Sequence, residues 1–532
     1  MKQKVEPQDT SLKESSLIQS AFRERAFNGI YEIMARQNHF YGINCKLSGS
    51  VYVVSEIEGA VSLVHGPCGC AFHHRLSPRR LFSPIYDLAC TDMDETDVIQ
   101  GGEEKLRARI IDVCKRYDPA LVVVLPTCIS GLIGDDIPGV IENLKSKIAC
   151  DILYAPSEGF SHRDGDSVEV SLKNAAKSMK CSSNPPTAQD LRGCGHEEMM
   201  FSLADQLMEE QDVIEDSANL EAFGRHTRRF WNDVEEMRRV LGNIGIELNT
   251  TIPTASVDAI KRAPSAPLNI VVTRNTRWAE RMKERFGTDY AKKWYFYVGF
   301  DEVGKFFVET ASKLGLEGEA EDAIRHEKKR ALEDLSESRR FFQSCSFAIS
   351  TQSYLFNPNL LSVYAEDLQM PLRWILIDSQ PMRSMKISKE TVEMMAGNLS
   401  DVAEKQDLEI EILVDPSIEK MAEIAKKADY LLTDRTGPAS QKEGGLGMVN
   451  IATASNLIHQ TGFCGIVEFG KYLAWKLQRD TQRDTKRDAQ KYALNPHREL
   501  IVSRFDYEED CYPMIKDPMC SSSGKMWSEI WC

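Results

Sequence analysis

The chain reads as an α/β protein with parallel sheets flanked by helices, and three observations predict this. Short apolar runs bounded by turn residues alternate with longer helical patterns. The 532 residues are enough for about three domains at roughly 150 residues each, with several separate cores. Hydrophobic residues at 42% and charged residues at 27% are ordinary for a soluble globular protein.

In chain order, the strand-like runs are 120–126 (ALVVVLP), 151–156 (DILYAP), 268–273 (LNIVVT), 347–351 (FAIST), 372–378 (LRWILID), 410–415 (IEILVD), 430–434 (YLLTD) and 465–469 (GIVEF). Most are followed by a polar turn and then a helical pattern. Between Glu197 and Leu248 the sequence becomes helix-rich and charge-laced, which predicts a boundary after the first α/β unit. The organisation expected is an N-terminal extension (1–40), a first α/β domain (41–195), a helical connection (196–265), a second (266–400) and a third (401–475) α/β domain, and a C-terminal helix with a docking tail (476–532). Residues 478–491, an RDT-like low-complexity stretch, read as one solvated helix face. The tail from 508 carries three cysteines and two tryptophans, too apolar for a disordered end, and is expected to dock on the body or on a partner. No repeat of solenoid period is present.

The net charge of −15 and pI near 5.3 argue against a phosphate-backbone binder, so no nucleic-acid partner is expected. The N-terminal stretch is polar and mixed in charge, and no apolar run of 18 residues follows. The expectation is a cytoplasmic protein without membrane contact, whose cysteines stay reduced.

Three of the 14 cysteines stand out: Cys45 in GINCKLSG, Cys70 in HGPCGCAFHH and Cys128 in VVVLPTCISGLIGDD. Between the first two lie 24 residues and between the second and third 57, which excludes a compact zinc module. The ligands of any metal group would have to converge from separate loops, and thiolates are the usual holders of iron–sulfur clusters. Buried, reduced and inert thiols are the competing reading on spacing alone.

The neighbouring motifs point the same way, each with a plainer alternative. Gly66, Gly69 and Pro67 around Cys68 and Cys70 let backbone approach a large inorganic ligand, or simply make a turn with incidental thiols. The backbone N–H groups of the 66–69 turn are the expected donors to cluster sulfur. Cys128 follows the carboxyl end of a strand, where open α/β sheets bind ligands; a packed strand-end thiol is the alternative. His65, His73 and His74 are ligand or proton-donor candidates, or structural. Asp94, Glu95 and Asp97 precede a helix beginning near Gly102 and suit its dipole. The loop at 436–447 is Gly-rich and lid-like, but no G-x-x-x-x-G-K-[ST] motif occurs, so any ATP used is hydrolysed by another protein.

The segments GINCKLSGSVYVVSEIEGAVSLVHGPCGCA, TDMDETDVIQGGEEKL and VVVLPTCISGLIGDDI, in this order, resemble the nitrogenase component 1 family of molybdenum–iron protein subunits, cofactor scaffolds and nitrogenase-like reductases. The likeness is strong from Tyr41 to Gly165 and weaker through APLNIVVTRNTRWAERMKERFG and TGFCGIVEFGKYLA. It implies three Rossmann-like domains and pairing with a homologous subunit as a heterodimer or heterotetramer. By motif, Cys45, Cys70 and Cys128 inherit the role of thiolates gripping an interfacial iron–sulfur cluster, P-cluster-like or [4Fe-4S]. Gly69 lies in the cluster-binding turn, and Ser157 in YAPSEGFSHRDG stands where β-type subunits add a serine ligand. An ATP-hydrolysing iron protein would supply the electrons.

The departures matter equally. The resemblance places Thr273 and Thr461 where the catalytic α subunit holds its molybdenum cofactor with Cys and His, and neither hydroxyl replaces those soft ligands well. Dinitrogen reduction on this chain is therefore not expected, and the identity of a second metal cofactor stays open; His459 and Cys464 lie nearby as substitutes or as packed loop residues. Three functions follow: a subunit of a nitrogenase-like oxidoreductase relaying low-potential electrons to a substrate other than dinitrogen, a non-catalytic scaffold for metal-cofactor assembly, or a metal-free α/β binding protein.

Overall fold

A computed structural model describes residues 45–76, 88–159, 188–224, 228–272, 276–292, 299–351, 359–380, 389–433, 447–450 and 462–491. They form three all-parallel sheets with helices on their faces. The first holds β1 (Ala60–His65), β2 (Leu88–Cys90), β3 (Leu121–Pro126) and β4 (Asp151–Tyr154) in the order β2-β1-β3-β4. The second, of β5 (Ser217–Ala222), β6 (Glu247–Pro253), β7 (Leu268–Val271) and β8 (Asp289–Lys292), repeats that pattern as β6-β5-β7-β8. The third, of β9 (Phe347–Thr351), β10 (Leu372–Ile377), β11 (Glu411–Val414), β12 (Tyr430–Thr433) and β13 (Gly447–Asn450), runs β11-β10-β9-β12-β13.

The first sheet shows why its sequence chooses this architecture. β3 is buried at every position, so it reads as an unbroken apolar run. Its side chains nonetheless alternate between two cores. Val122 and Val124 pack with Leu106, Ile110 and Ile141 on one face, from helices α4 (Glu103–Tyr117) and α6 (Ile137–Lys145). Leu121, Val123 and Leu125 pack on the other with Leu47, Val51 and Met199, from α1 (Lys46–Glu56) and α7 (Ala188–Ser202). That second core also takes in Ile252, Val271 and Trp278, which joins the first sheet to the second. A third core then spans the second and third sheets.

Several sequence expectations need correction. The run at 465–469 is not a strand: it lies inside the helix Gly462–Lys491. Phe463, Ile466, Val467, Leu473 and Leu477 are buried at helical spacing, and the five apolar letters taken alone hid that longer period. The stretch expected as a helical connection, 196–265, contains β5 and β6, two strands of the second sheet. Both carry polar residues, and Asn219 and Asn249 are spent on a buried amide ladder: Asn219 donates to Asn269 at 2.9 Å and accepts from Asn249 at 2.8 Å. The third sheet draws strands from both sides of residue 400. Residues 1–40, the tail and the loop at 436–446 lie outside the described residues.

Candidate metal centre

The cysteine motifs meet at the carboxyl end of the first sheet. β1 and β3 are neighbours, with His65 level with Pro126, and the strand order reverses between them, the place where such sheets open a crevice. β1 runs through Gly66 and Pro67 into the helix α2 (Cys68–Leu76), and β3 runs through Thr127 into the short helix α5 (Cys128–Ile133). The two turns interlock. A Cβ on Gly66 would sit 2.2 Å from the Thr127 Oγ1, so only glycine fits there. The Ser130 hydroxyl takes a hydrogen bond from the Thr127 N–H at 2.9 Å and donates to the His65 carbonyl at 2.8 Å.

Cys45 arrives from a separate segment as the N-cap residue of α1, its carbonyl accepting from Ser48 N–H at 3.0 Å. α1 is locked against α7: a Cβ on Gly195 would collide with the Lys46 carbonyl at 1.7 Å, and Ser50 donates to the Gly195 carbonyl at 3.1 Å. The Lys46 ammonium is buried and lies 3.6 Å from Glu198, which also pairs with Arg277 at 3.3 Å.

The three sulfurs feel one another. Burial pushes the Cys45 thiol up, opposed by the N–H groups of Ser48 and Leu47, and a charge on Cys128 raises it further. Burial likewise raises Cys70, helped by Cys45, Cys128, Cys90 and Cys68. Cys45 and Cys70 thus resist ionisation until a cation arrives, and metal binding to them must then release their protons. Cys128 is exposed, and Cys45 and Cys70 are half-buried. Among the described residues, an added Cβ on Gly69 would meet no atom within 4 Å.

Some of the hydrogen bonds around these turns and sulfurs are fixed within the chain. Gly66 N–H is spent on the Thr91 Oγ1 at 2.9 Å. Gly159 N–H donates to the Cys128 Sγ at 3.3 Å, and His74 Nε2 lies 3.4 Å from the Cys45 Sγ. Burial, with His73 beside it, pulls His74 down to about 4, so its ring is neutral at pH 7 and can give one N–H to sulfur. His74 follows Cys70 by one helical turn on α2, a spacing that would have singled it out.

Ser157 is buried, and its hydroxyl donates to the Pro126 carbonyl at 2.6 Å, two positions before Cys128. His65 is structural: it lies at zero exposure with Nδ1 3.2 Å from Thr91 Oγ1 and Nε2 2.9 Å from the Asp135 carboxylate. Asp94 caps the helix Glu95–Gln100 and pairs with Lys105. Cys90, not singled out by motif, lies beside the site with Sγ 3.3 Å from the Gly66 carbonyl. Thr273, Thr461 and His459 lie outside the described residues.

A thiol-only donor set, drawn from three segments and open on one side, suits an iron–sulfur cluster better than a single ion. Among the described residues no three His, Cys, Asp or Glu side chains are grouped closely enough to hold a metal ion, Cys45, Cys70 and Cys128 included. No helix among the described residues is long and apolar enough to cross a membrane.

Comparison with known proteins bears on the same segments. The family model described as nitrogenase component 1 type oxidoreductase matches residues 45–477. The nitrogenase molybdenum-iron protein alpha chain of Methanosarcina barkeri is 26% identical over 310 residues, 56% of this chain and 53% of that one. The nitrogenase iron-molybdenum cofactor biosynthesis protein NifE of Nostoc sp. is 28% identical over 277 residues, covering 51% of each. The chain thus spans about half the length of these curated relatives. A solved nitrogenase structure, Nitrogenase Cp1 at pH 5, aligns over 86% of this chain and 91% of its own with a TM-score of 0.51 at 20% identity, a likeness of fold.

Proposed function

The chain belongs to the nitrogenase component 1 type oxidoreductase family, and from that premise we propose that it is a subunit of a nitrogenase-like oxidoreductase that holds an iron–sulfur cluster jointly with a homologous subunit. The reading rests on the geometry at the mouth of the first sheet: Cys70 and Cys128 lie on the helices that follow the neighbouring strands β1 and β3, and Cys45 lies 3.4 Å from His74 on the Cys70 helix. Three thiolates leave a cluster under-ligated, so the open side calls for a second chain. The cluster, P-cluster-like or [4Fe-4S], would accept low-potential electrons from an ATP-hydrolysing iron protein and pass them to a substrate other than dinitrogen.

The chain's own residues prepare that site. The interlocked 66 and 127 turns fix the Cys70 and Cys128 backbones before any metal arrives. His74 and the Gly159 N–H supply hydrogen bonds to Cys45 and Cys128, which favour the reduced, more negative state of a bound cluster. Ser157 joins the ligand set only by giving up its bond to the Pro126 carbonyl.

A second reading, a cofactor-assembly scaffold, is supported by the similarity to several proteins named for iron-molybdenum cofactor biosynthesis. The experiment is iron and acid-labile sulfide content with EPR of the dithionite-reduced protein, purified anaerobically with and without a co-expressed homologous subunit. Several irons per chain in the complex alone are expected. Repeated oxidation of an added iron protein only with substrate present identifies the reductase; transfer of the cluster to an acceptor protein identifies the scaffold. Iron-free protein in both preparations overturns both and leaves a metal-free binding protein.

A further inference from the structure

A second pair of cysteines lies away from the cluster motifs. Cys114 sits in the last turn of α4 on the face that packs against the first sheet, and Cys150 immediately precedes β4. Their sulfurs are 2.9 Å apart, although 36 positions separate them in sequence. That is inside ordinary sulfur–sulfur contact and about 0.9 Å beyond a disulfide bond. Both backbones are held. The Asp118 N–H donates to the Cys114 carbonyl at 3.1 Å, with Asp118 left-handed at φ 44°, and the Asp151 N–H donates to the Ala120 carbonyl at 3.1 Å. Both thiols are half-buried rather than sealed, so a small oxidant can reach them.

We propose that Cys114 and Cys150 form a reversible intrachain disulfide site, closed by a peroxide or a small-molecule disulfide, that ties the end of α4 to the start of β4. With hydrogen peroxide, one sulfur takes an oxygen to give a sulfenic acid as the O–O bond breaks and releases water. The second thiol then displaces that hydroxyl as a second water, forming the S–S bond. The peroxide gains two electrons and each sulfur loses one. Closure requires the two sulfurs to approach by about 0.9 Å. The cross-link lies at the amino end of β4, opposite the Ser157 end, and is independent of whether the chain binds a cluster.

Burial, with Cys114 beside it, pushes the Cys150 thiol up to about 12. The Cys150 thiolate is therefore scarce at pH 7 and grows as pH rises.

The test uses the full chain, purified reduced and exposed to hydrogen peroxide or oxidised glutathione, then alkylated and digested without reductant. The expected product is a peptide pair joining 114 to 150, lighter by two hydrogens and reopened by dithiothreitol. Full alkylation of both residues after treatment overturns the proposal, as does either residue pairing with a different cysteine. Cys114→Ser and Cys150→Ser each leave one sulfur, which should stay free or carry a single glutathione. An intrachain link formed by the survivor in either variant also overturns it.

Discussion

Cys45 and Cys464 are both half-buried thiols raised by burial, yet their surroundings could hardly differ more. Cys45 faces other thiols, a neutral histidine and an open surface. Cys464 is held up at about 12 first by burial and then by Glu236, within a completed network. Arg239 binds Glu236 at 2.8 Å and Glu327 at 2.6 Å, Asn243 donates to Glu327 at 2.9 Å, and the Cys464 N–H donates to Glu236 at 3.0 Å. A site awaiting a ligand leaves donors aimed at sulfur and space beside it, whereas a structural network spends every polar atom on its neighbours. Cys464 Sγ also takes a contact from the Arg239 guanidinium at 3.7 Å, which among the described residues supports its reading as a packed residue.

The sharpest way to break this contrast is to exchange each thiol for a methyl group. Cys70→Ala should lose most of the iron of the anaerobic complex together with its EPR signal, whereas Cys464→Ala should retain both. Full iron and an unaltered spectrum in the first variant would remove Cys70 from the ligand set.

Glu327→Ala tests the network itself. It removes one of the two carboxylates held by the Arg239 guanidinium, which is partly screened at 29% exposure and keeps Glu236, and should cost about 1 to 2 kcal/mol, read as a lower midpoint in thermal or denaturant unfolding. Burial alone would raise the Glu327 carboxyl, but the Arg239 hydrogen bonds win and hold it below its ordinary value. A depressed carboxylate stabilises the fold above its unfolded pKa, about 4.3. The gap between wild type and variant should thus be constant at neutral pH and shrink as pH falls below about 4. A gap that instead widened in acid would show that the ion pair is not its source.

The smallest change is His74→Leu, which removes a single hydrogen bond from Cys45. Iron content should hold while the midpoint potential of the bound cluster falls, measured by EPR-monitored titration. Loss of iron would make His74 a ligand, and an unmoved potential would make it a packing residue.

The legible parts of this molecule are those where one physical demand dominates. β3 had to be apolar throughout to be covered on both faces, and 120–126 announces it. β1 escaped notice because Ser62 and His65 interrupt its run, although both are buried and His65 finds Thr91 and Asp135 across the sheet. Polar strands such as β5 and β6 depend on partners supplied by other strands, which a local window cannot show. The same holds for the site. The cysteine motifs are visible in sequence, but Lys46, Gly159 and the Asp135 partner of His65 acquire their roles only when distant segments meet.

Gly195 against the Lys46 carbonyl also sets a timetable. The helix that presents Cys45 finds its seat only after residue 195 has been synthesised, about 8 to 30 seconds later at ribosomal speed. Until then a nascent chain can show Cys70 and Cys128 from their interlocked turns while Cys45 is still unplaced. Metal loading during translation would meet two fixed sulfurs rather than three, so productive loading belongs to the finished, folded chain.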